Sequence, residues 1–363
     1  CAITINTNFE GPINFDCTKN VTLENNKTVS FGTIKANTFT NKGTTTVNSN
    51  LSVGTVTNNG TLTINEDSEI KNFSNNGSAI VNDSKTLKIT KKFNNGGTFT
   101  GKLNLSGSEL EQDIQLAEGG KNSVYETIEI DSSDKYINFT GNPKIKKLKV
   151  VSAKSVSFYY NPDCLISEIE DNDSAIDYNF VYLSFQNFDN VSSDDITFNT
   201  KGTINLRGIK SSKNIIVNNG TLQINETFEG QDVISKTQTS INGTVNVNDI
   251  NCGKTTITGN VTAKKITLAE NTIDGIITGT EITLGKTKLK GSITGTDVEI
   301  GDVELNGAII GNNITLAEIN VVEDSELKIN ETSTDGKITL NGNVLSTDLK
   351  NLTLDGNVIA SDQ

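Results

Sequence analysis

Glycine recurs at a fixed interval in the second half of the chain, and this repeat constrains the fold more than any other feature. Five glycines are each sixteen residues apart: Gly243, Gly259, Gly275, Gly291 and Gly307. Apolar residues follow each of them, with few exceptions, at the second, seventh, ninth and fourteenth positions, and Thr, Asn, Lys, Glu or Asp lie between. A fixed period of this length is typical of a solenoid, in which each repeat stacks on its neighbours.

The apolar positions within one repeat come in pairs two residues apart, which is the spacing of one face of a β-strand. We therefore expect three very short strands in each repeat, with a small residue at the tenth position for a tight corner. Sixteen is not a multiple of the six-residue unit of left-handed β-helices, and parallel connections are overwhelmingly right-handed. The sequence thus predicts an all-β chain, a right-handed parallel β-helix (β-solenoid) with about 16–20 residues per turn.

The repeat style changes along the chain, although we predict a single continuous solenoid over residues 1–363. Its predicted segments are N-terminal turns or a cap at 1–37, Asn-Asn-Gly turns at 38–107, irregular aromatic-rich turns at 108–215, regular turns at 216–322 that include the sixteen-residue array at 243–322, and C-terminal turns at 323–363. Residues 108–120 fit a helical turn or a loop equally. Because the last turns show no amphipathic cap, we expect either a fragment of a longer protein or an end that contacts another subunit or a flanking domain.

A second motif, Asn-Asn-Gly, marks a corner of the earlier turns. It is clearest at Asn58-Asn59-Gly60 and Asn75-Asn76-Gly77, where the glycines are 17 residues apart. The motif predicts left-handed backbone conformations at this corner. Asparagines stacked at one corner also predict a ladder of side-chain amide hydrogen bonds along the solenoid.

Two segments carry a resemblance to known repeats. They are Val56-Thr-Asn-Asn-Gly-Thr-Leu-Thr-Ile64 and Ile216-Val-Asn-Asn-Gly-Thr-Leu-Gln-Ile224. Their style resembles that of bacterial surface-exported β-helices, namely filamentous-haemagglutinin-like exoproteins and autotransporter passenger domains. The resemblance covers about half of the chain and implies export to the bacterial cell surface and an adhesive or structural role. It transfers no functional residue, and the four cysteines depart from the usual composition of such chains.

Composition excludes several classes of function. The chain has no histidine, so catalysis by a nucleophile paired with histidine and metal binding by histidine are impossible. A net charge of −13 and a single arginine, Arg207, argue against nucleic acid as a partner. No apolar run approaches the length of a transmembrane segment. We predict no cofactor and no enzymatic activity, with a polysaccharide-active β-helix enzyme as the alternative if carboxylates cluster in a groove.

Tyrosine is concentrated in the irregular segment and gives the main candidate for a binding surface. The predicted ligand-binding residues are Tyr159, Tyr160, Tyr178 and Tyr182. Tyrosine favours interfaces, which would suit a host glycan or a matrix protein, but the same rings would also fill a broad core. An acidic loop nearby supplies a calcium candidate through Asp171, Asp173 and Asp177, and a solvated surface turn is the simpler interpretation.

The cysteines suggest an oxidising location. Cys1 and Cys17 lie one turn apart, which allows a disulfide across the first turn. The alternative is that Cys1 is the lipid-bearing first residue of a bacterial lipoprotein. Cys252 occupies an inward position of the array and is predicted to be a buried free thiol. Taken together, the residues and the resemblance predict an extracellular adhesin or structural stalk, with a purely structural, self-assembling solenoid as a further alternative.

Overall fold

The computed structural model describes residues 2–17, 21–118, 122–159, 162–188, 191, 193–330, 335–346 and 351–360. Within these residues the chain forms 42 β-strands and no helix. The chain divides into two compact units, residues 1–196 and 197–363. Each unit is a parallel β-solenoid; together they contain about 20 turns, and strands stack about 17 residues apart. The all-β parallel solenoid predicted from the repeats is confirmed, whereas its right-handed winding and its single continuous span over 1–363 stay predictions.

The strands of the first unit are β1 (Ala2–Ile5), β2 (Phe9–Asp16), β3 (Thr22–Asn25), β4 (Thr28–Asn41), β5 (Thr44–Val47), β6 (Leu51–Asn58), β7 (Thr61–Ile64), β8 (Ser68–Asn75), β9 (Ser78–Val81), β10 (Thr86–Asn95), β11 (Thr98–Ser106), β12 (Asp113–Gln115), β13 (Val124–Asp131), β14 (Tyr136–Thr140), β15 (Lys144–Ile145), β16 (Leu148–Ser152), β17 (Ser155–Phe158), β18 (Leu165–Ile166), β19 (Ile169–Glu170), β20 (Asp177–Val181) and β21 (Ser184–Phe185). The strand at the division is β22 (Asp195–Phe198).

The strands of the second unit are β23 (Thr203–Arg207), β24 (Ile209–Ser211), β25 (Asn214–Val217), β26 (Thr221–Ile224), β27 (Thr227–Glu229), β28 (Val233–Ser235), β29 (Gln238–Ile241), β30 (Thr244–Asn246), β31 (Asp249–Ile257), β32 (Asn260–Ile273), β33 (Ile276–Leu289), β34 (Ser292–Ile300), β35 (Val303–Leu305), β36 (Ala308–Leu316), β37 (Ile319–Val321), β38 (Ser325–Ile329), β39 (Lys337–Leu340), β40 (Val344–Ser346), β41 (Leu352–Asp355) and β42 (Val358–Ala360).

The sixteen-residue array sets the register of the second unit. Val261 pairs with Val245 on one side and with Ile277 on the other, so equivalent residues of successive repeats stack. The apolar positions face the core, and Ile266, Leu268 and Ile273 are at most 1% exposed. The expectation of three very short strands per repeat is wrong here, because β32 and β33 each run through 14 residues. Hydrogen bonding to the turns on both sides continues across the corners, so these repeats bend without ending the strand.

Glycine occupies one corner for a reason other than the predicted left-handed backbone. Gly60 and Gly77 do not have a positive φ, so that prediction is wrong for them, although Gly220 of a later Asn-Asn-Gly motif does have a φ of +77°. A Cβ atom on Gly77 would overlap the carbonyl oxygen of Gly60, one turn earlier. Gly275 of the array would meet the carbonyl oxygen of Gly259 in the same way. Close approach of neighbouring turns, rather than backbone conformation, therefore requires glycine at these corners.

The predicted amide ladder is present in the first unit, and it is buried. Its members are all 0% exposed: Asn25, Asn41, Asn58, Asn75 and Asn95. From Asn25 to Asn75, each side-chain nitrogen donates to the side-chain oxygen of the next asparagine, at 3.3, 2.8, 2.7 and 2.7 Å along the row. From Asn41 to Asn75 each nitrogen also donates to a backbone carbonyl of a following turn. The polar side chains thus satisfy one another inside the core, as buried amides must.

Buried aromatic residues pack against one another in the irregular segment and in the turn before it. Tyr125 and Phe99 stack with ring centroids 4.9 Å apart, and Phe158 lies 4.8 Å from Phe139. Residues 108–118 contain no helix; β12 lies there instead, with Ile114 paired to Phe139. The alternatives of a helical turn or a loop are therefore replaced by a short strand of the solenoid.

Candidate functional site

The structure places the predicted tyrosines in two different environments. Tyr159 is 49% exposed and Tyr182 is 38% exposed, whereas Tyr178 is completely buried and stacks on Phe180 at 5.7 Å. Burial raises the pKa of Tyr178, and the nearby Asp171 carboxylate adds to this effect. Tyr178 is therefore a core residue and does not contribute to a surface, while Tyr160 lies outside the described residues.

The two exposed tyrosines lie at one corner of neighbouring turns. Phe158 pairs with Phe180, and Tyr159 and Tyr182 follow these partners by one and two residues. Tyr182 has a φ of +54°, the only positive φ outside glycine among the described residues. A bulky side chain in this region costs about 1–3 kcal/mol, and such strain concentrates at functional sites. We call Tyr159 and Tyr182 the tyrosine corner pair.

The acidic loop beside these strands carries the predicted calcium ligands Asp171, Asp173 and Asp177. The described part of the chain contains no group of three or more His, Cys, Asp or Glu residues that could hold a metal ion. The structure thus does not bring Asp171, Asp173 and Asp177 together as calcium ligands. Asp171 instead lies next to the buried hydroxyl of Tyr178.

The cysteines are placed as follows. Cys252 is a buried free thiol, which confirms the prediction, and burial raises its pKa to about 11. Cys164 is also buried and free, and its pKa is raised by the same cause. Cys17 is a half-buried free thiol in this structure, whereas Cys1 lies outside the described residues. The disulfide between Cys1 and Cys17 and the lipidation of Cys1 both stay predictions.

A feature absent from the predictions is a groove on the outer face of the first unit. Its largest part has a volume of about 490 Å³ and is bordered by Asp67, Glu69, Lys88 and Asp131. A second part of about 310 Å³ shares Thr86 and Asn104 with the first, and a third of about 230 Å³ shares Asp131. We call these three adjoining depressions the polar groove.

Strand register builds the floor of the polar groove. One outward residue from each of six successive turns stands in a single row: Glu69, Lys88, Asn104, Glu129, Lys149 and Glu170. The strands that supply them are β8, β10, β11, β13, β16 and β19. Because stacked strands lie about 4.8 Å apart, the row is roughly 24 Å long.

The side chains of this row pair with one another across the turns. Lys88 Nζ lies 3.1 Å from Glu69 Oε2, and Lys149 Nζ lies 2.9 Å from Glu129 Oε2. Asn104 donates to the other oxygen of Glu129 at 2.8 Å. Lys147 contacts both Glu168 and Glu170, and its hydrogen bond lowers the pKa of Glu170.

Two further carboxylates of the groove also have partners. Asp67 accepts the backbone N–H of Thr86 at 2.8 Å, and Asp131 accepts the Ser152 hydroxyl at 2.7 Å. A glycosidase acid needs a raised pKa, but Glu170 is shifted in the opposite direction. The groove therefore presents paired carboxylates, lysines and an amide as its polar groups.

Sequence reasoning missed the groove because its residues are scattered. Neighbours in the row are 16 to 25 residues apart in the chain, so no fixed period connects them. The only available signal was the alternation of Lys and Glu at outward strand positions, which also describes an ordinary solvated face.

No family model matches this chain, and no curated protein or solved structure does so either. Among the residues that the structure describes, no helix has the length and apolar character needed to cross a membrane.

Proposed function

We propose that the protein is a non-enzymatic adhesin or structural stalk of a bacterial cell surface, which presents a binding surface for a glycan or a protein. The observation that carries this proposal is the tyrosine corner pair, in which two half-exposed rings lie on adjacent turns and one is held at a positive φ. Exposed tyrosines on a rigid support lose little conformational entropy on binding and offer both an apolar face and a hydroxyl group.

The stacked architecture supports the same role. Strands of each unit pair with the turns on both sides, and the buried asparagine ladder fixes adjacent turns to one another. A surface built on such a support is presented without rearrangement. Export to the cell surface rests on the resemblance in repeat style, and it is tested by staining intact cells of the source organism with an antibody raised against the purified chain.

The alternative of a polysaccharide-active enzyme has one observation in its favour, namely the carboxylates of the polar groove. Each of Asp67, Glu69, Glu129 and Asp131 is engaged by a lysine, an amide, a hydroxyl or a backbone N–H. Paired-carboxylate chemistry needs one carboxyl group that is protonated near neutral pH. The arrangement favours binding over hydrolysis.

Binding to immobilised glycans and matrix proteins tests the proposal. The variant Tyr159→Ser/Tyr182→Asn removes both rings, and Asn tolerates the positive φ at position 182. Tyr136→Ser is the matched control, because Tyr136 is 50% exposed but lies elsewhere, under the Lys154 ammonium group at 5.5 Å.

We expect the double variant to bind about tenfold more weakly, since aromatic contacts contribute about 1 kcal/mol or more beyond their buried area. Tyr136→Ser should bind like the unmodified chain. Equal loss in both variants, or unchanged binding in the double variant, would remove the tyrosine corner pair from the proposed surface.

A further inference from the structure

We infer that the polar groove is a binding site for an extended, uncharged polysaccharide chain. This site is separate from the tyrosine corner pair and uses different strands, so the inference does not depend on that pair. Three properties of the groove lead to it: its length and regular spacing, its balanced charge, and the kind of hydrogen bonds that its side chains still offer.

Length and spacing come from the stacking of turns. The row from Glu69 to Glu170 crosses six strands in register and extends for roughly 24 Å. The two larger depressions lie along this row and adjoin at Thr86 and Asn104, while the third adjoins the first at Asp131. One polar side chain per turn, repeated at the strand spacing, matches a ligand that is itself a linear repeat of small polar units.

Charge balance selects against ionic ligands. The two larger depressions are lined by five acidic side chains and four lysines, which gives these depressions a net charge of −1. The whole chain, by comparison, has a net charge of −13. Three of the four lysines contact glutamates of the same face: Lys88 contacts Glu69, Lys149 contacts Glu129, and Lys147 contacts Glu170. An acidic polymer would have to displace these carboxylates, and a basic one the lysines, so an uncharged chain is favoured.

Hydrogen-bonding capacity remains after the internal pairs have formed. A carboxylate offers about four acceptor positions and a lysine ammonium three donors. The contacts of Glu69 and Lys88 use only part of this capacity. Sugar hydroxyl groups both donate and accept, so successive sugar units can bond to the acceptors and donors that alternate along the row.

A peptide is a poorer fit to the same surface. Adding a strand requires a free sheet edge, but the floor strands are already paired on both sides; β11, for instance, lies between β10 and β13. Grooves for an amphipathic helix or a proline-rich segment are lined by apolar or aromatic residues. The residues that line the two larger depressions include no aromatic side chain, and their one apolar member, Leu103, is only 1% exposed.

The test measures binding of the purified chain to uncharged polysaccharides (dextran, laminarin, galactomannan and xyloglucan), to acidic ones (heparin and polygalacturonate), and to an unstructured peptide library. The groove variant is Lys88→Ala/Asn104→Ala. The matched control is Lys92→Ala/Asn72→Ala, which changes the same two residue types on β10 and β8 at a paired position outside the groove. A second variant, Asn104→Trp, keeps the ion pairs Lys88–Glu69 and Lys149–Glu129 and obstructs the groove with a large side chain.

We expect at least one uncharged polysaccharide to bind, with little dependence on added salt because no ion pair forms with the ligand. The groove variant should bind it at least about tenfold more weakly, as expected for the loss of two or more hydrogen bonds. Asn104→Trp should abolish binding, and the control should not change it. Circular dichroism and urea midpoints of all variants check that the fold is kept.

Three results would overturn the inference. One is that no uncharged polysaccharide binds; another is that only acidic polymers or peptides bind. The third is that Asn104→Trp and the groove variant bind as well as the control. If the chain binds a ligand and only Tyr159→Ser/Tyr182→Asn loses that binding, the adhesive function depends on the tyrosine corner pair and not on the polar groove.

Discussion

Replacing Asn58 with alanine removes the middle of the buried amide ladder. Asn58 is 0% exposed and belongs to the turn between those of Asn41 and Asn75. Its side-chain oxygen accepts from Asn41 at 2.8 Å, and its nitrogen donates to Asn75 Oδ1 at 2.7 Å and to the carbonyl oxygen of Ser78 at 2.9 Å. The change therefore deletes three hydrogen bonds at once and shortens a buried side chain.

The expected loss follows from these contacts. Three hydrogen bonds at about 1 kcal/mol each give about 3 kcal/mol, and leaving Asn75 Oδ1 buried without its donor adds about 1–3 kcal/mol. We thus expect Asn58→Ala to lower the free energy of unfolding by about 4 kcal/mol or more. The adjacent Asn59 is exposed and accepts one hydrogen bond, from Asn76 at 2.9 Å, so Asn59→Ala should cost less than about 1 kcal/mol.

Urea unfolding followed by circular dichroism measures both variants beside the unmodified chain. The two substitutions are chemically identical and one residue apart, so their difference reports burial and hydrogen bonding rather than composition. Equal midpoints for Asn58→Ala and Asn59→Ala would refute the claim that the inner asparagines stabilise the stacked turns.

Other regions give predictions of the same kind. Gly275→Ala would place a methyl group on the carbonyl oxygen of Gly259 and should lower the stability measured by thermal unfolding by about 1–3 kcal/mol or more. Gly301→Ala should cost less, because its Cβ would have its nearest neighbour at 3.3 Å. The reverse order would show that close approach of neighbouring turns is not what requires glycine. Cys252 has a pKa raised to about 11 by burial, so its contribution to stability is complete below the ordinary pKa of 9.0 and is lost as the pH rises through 11. A comparison of unfolding midpoints at pH 8 and near pH 11 for the chain and for Cys252→Ala checks this, and an unchanged pH dependence in the variant would contradict it. The thiol of Cys252 should also react with a thiol reagent only after unfolding, while half-buried Cys17, when it is not in a disulfide, reacts in the folded chain.

The fold was predictable where residues of one kind recur at one spacing. The stacking of Val245, Val261 and Ile277 could be predicted from the repeat, because a solenoid places equivalent positions of successive repeats together. The asparagine ladder was predictable for the same reason. The role of Gly77 was misread, since sequence shows that glycine is needed but not whether a positive φ or the oxygen of a neighbouring turn requires it.

The residues of the candidate site were harder to predict from the sequence. Tyr178 and Tyr182 are four residues apart, yet one fills the core and the other leaves it after a change of backbone direction at position 182. Strand alternation would place both residues on the same face, so the pattern alone assigns them the same environment. The row from Lys88 through Asn104 to Glu129 depends on turn lengths of 16 and 25 residues, which only the three-dimensional register reveals.

Binding of a polysaccharide in the polar groove without cleavage is the central claim, and one measurement tests it most directly. The purified chain is incubated with the panel of uncharged polysaccharides, and the retained polymer and any newly formed reducing ends are measured in the same samples. The account predicts that at least one polysaccharide is retained at its original length. Shortened chains, or no retention of any polysaccharide, would contradict it.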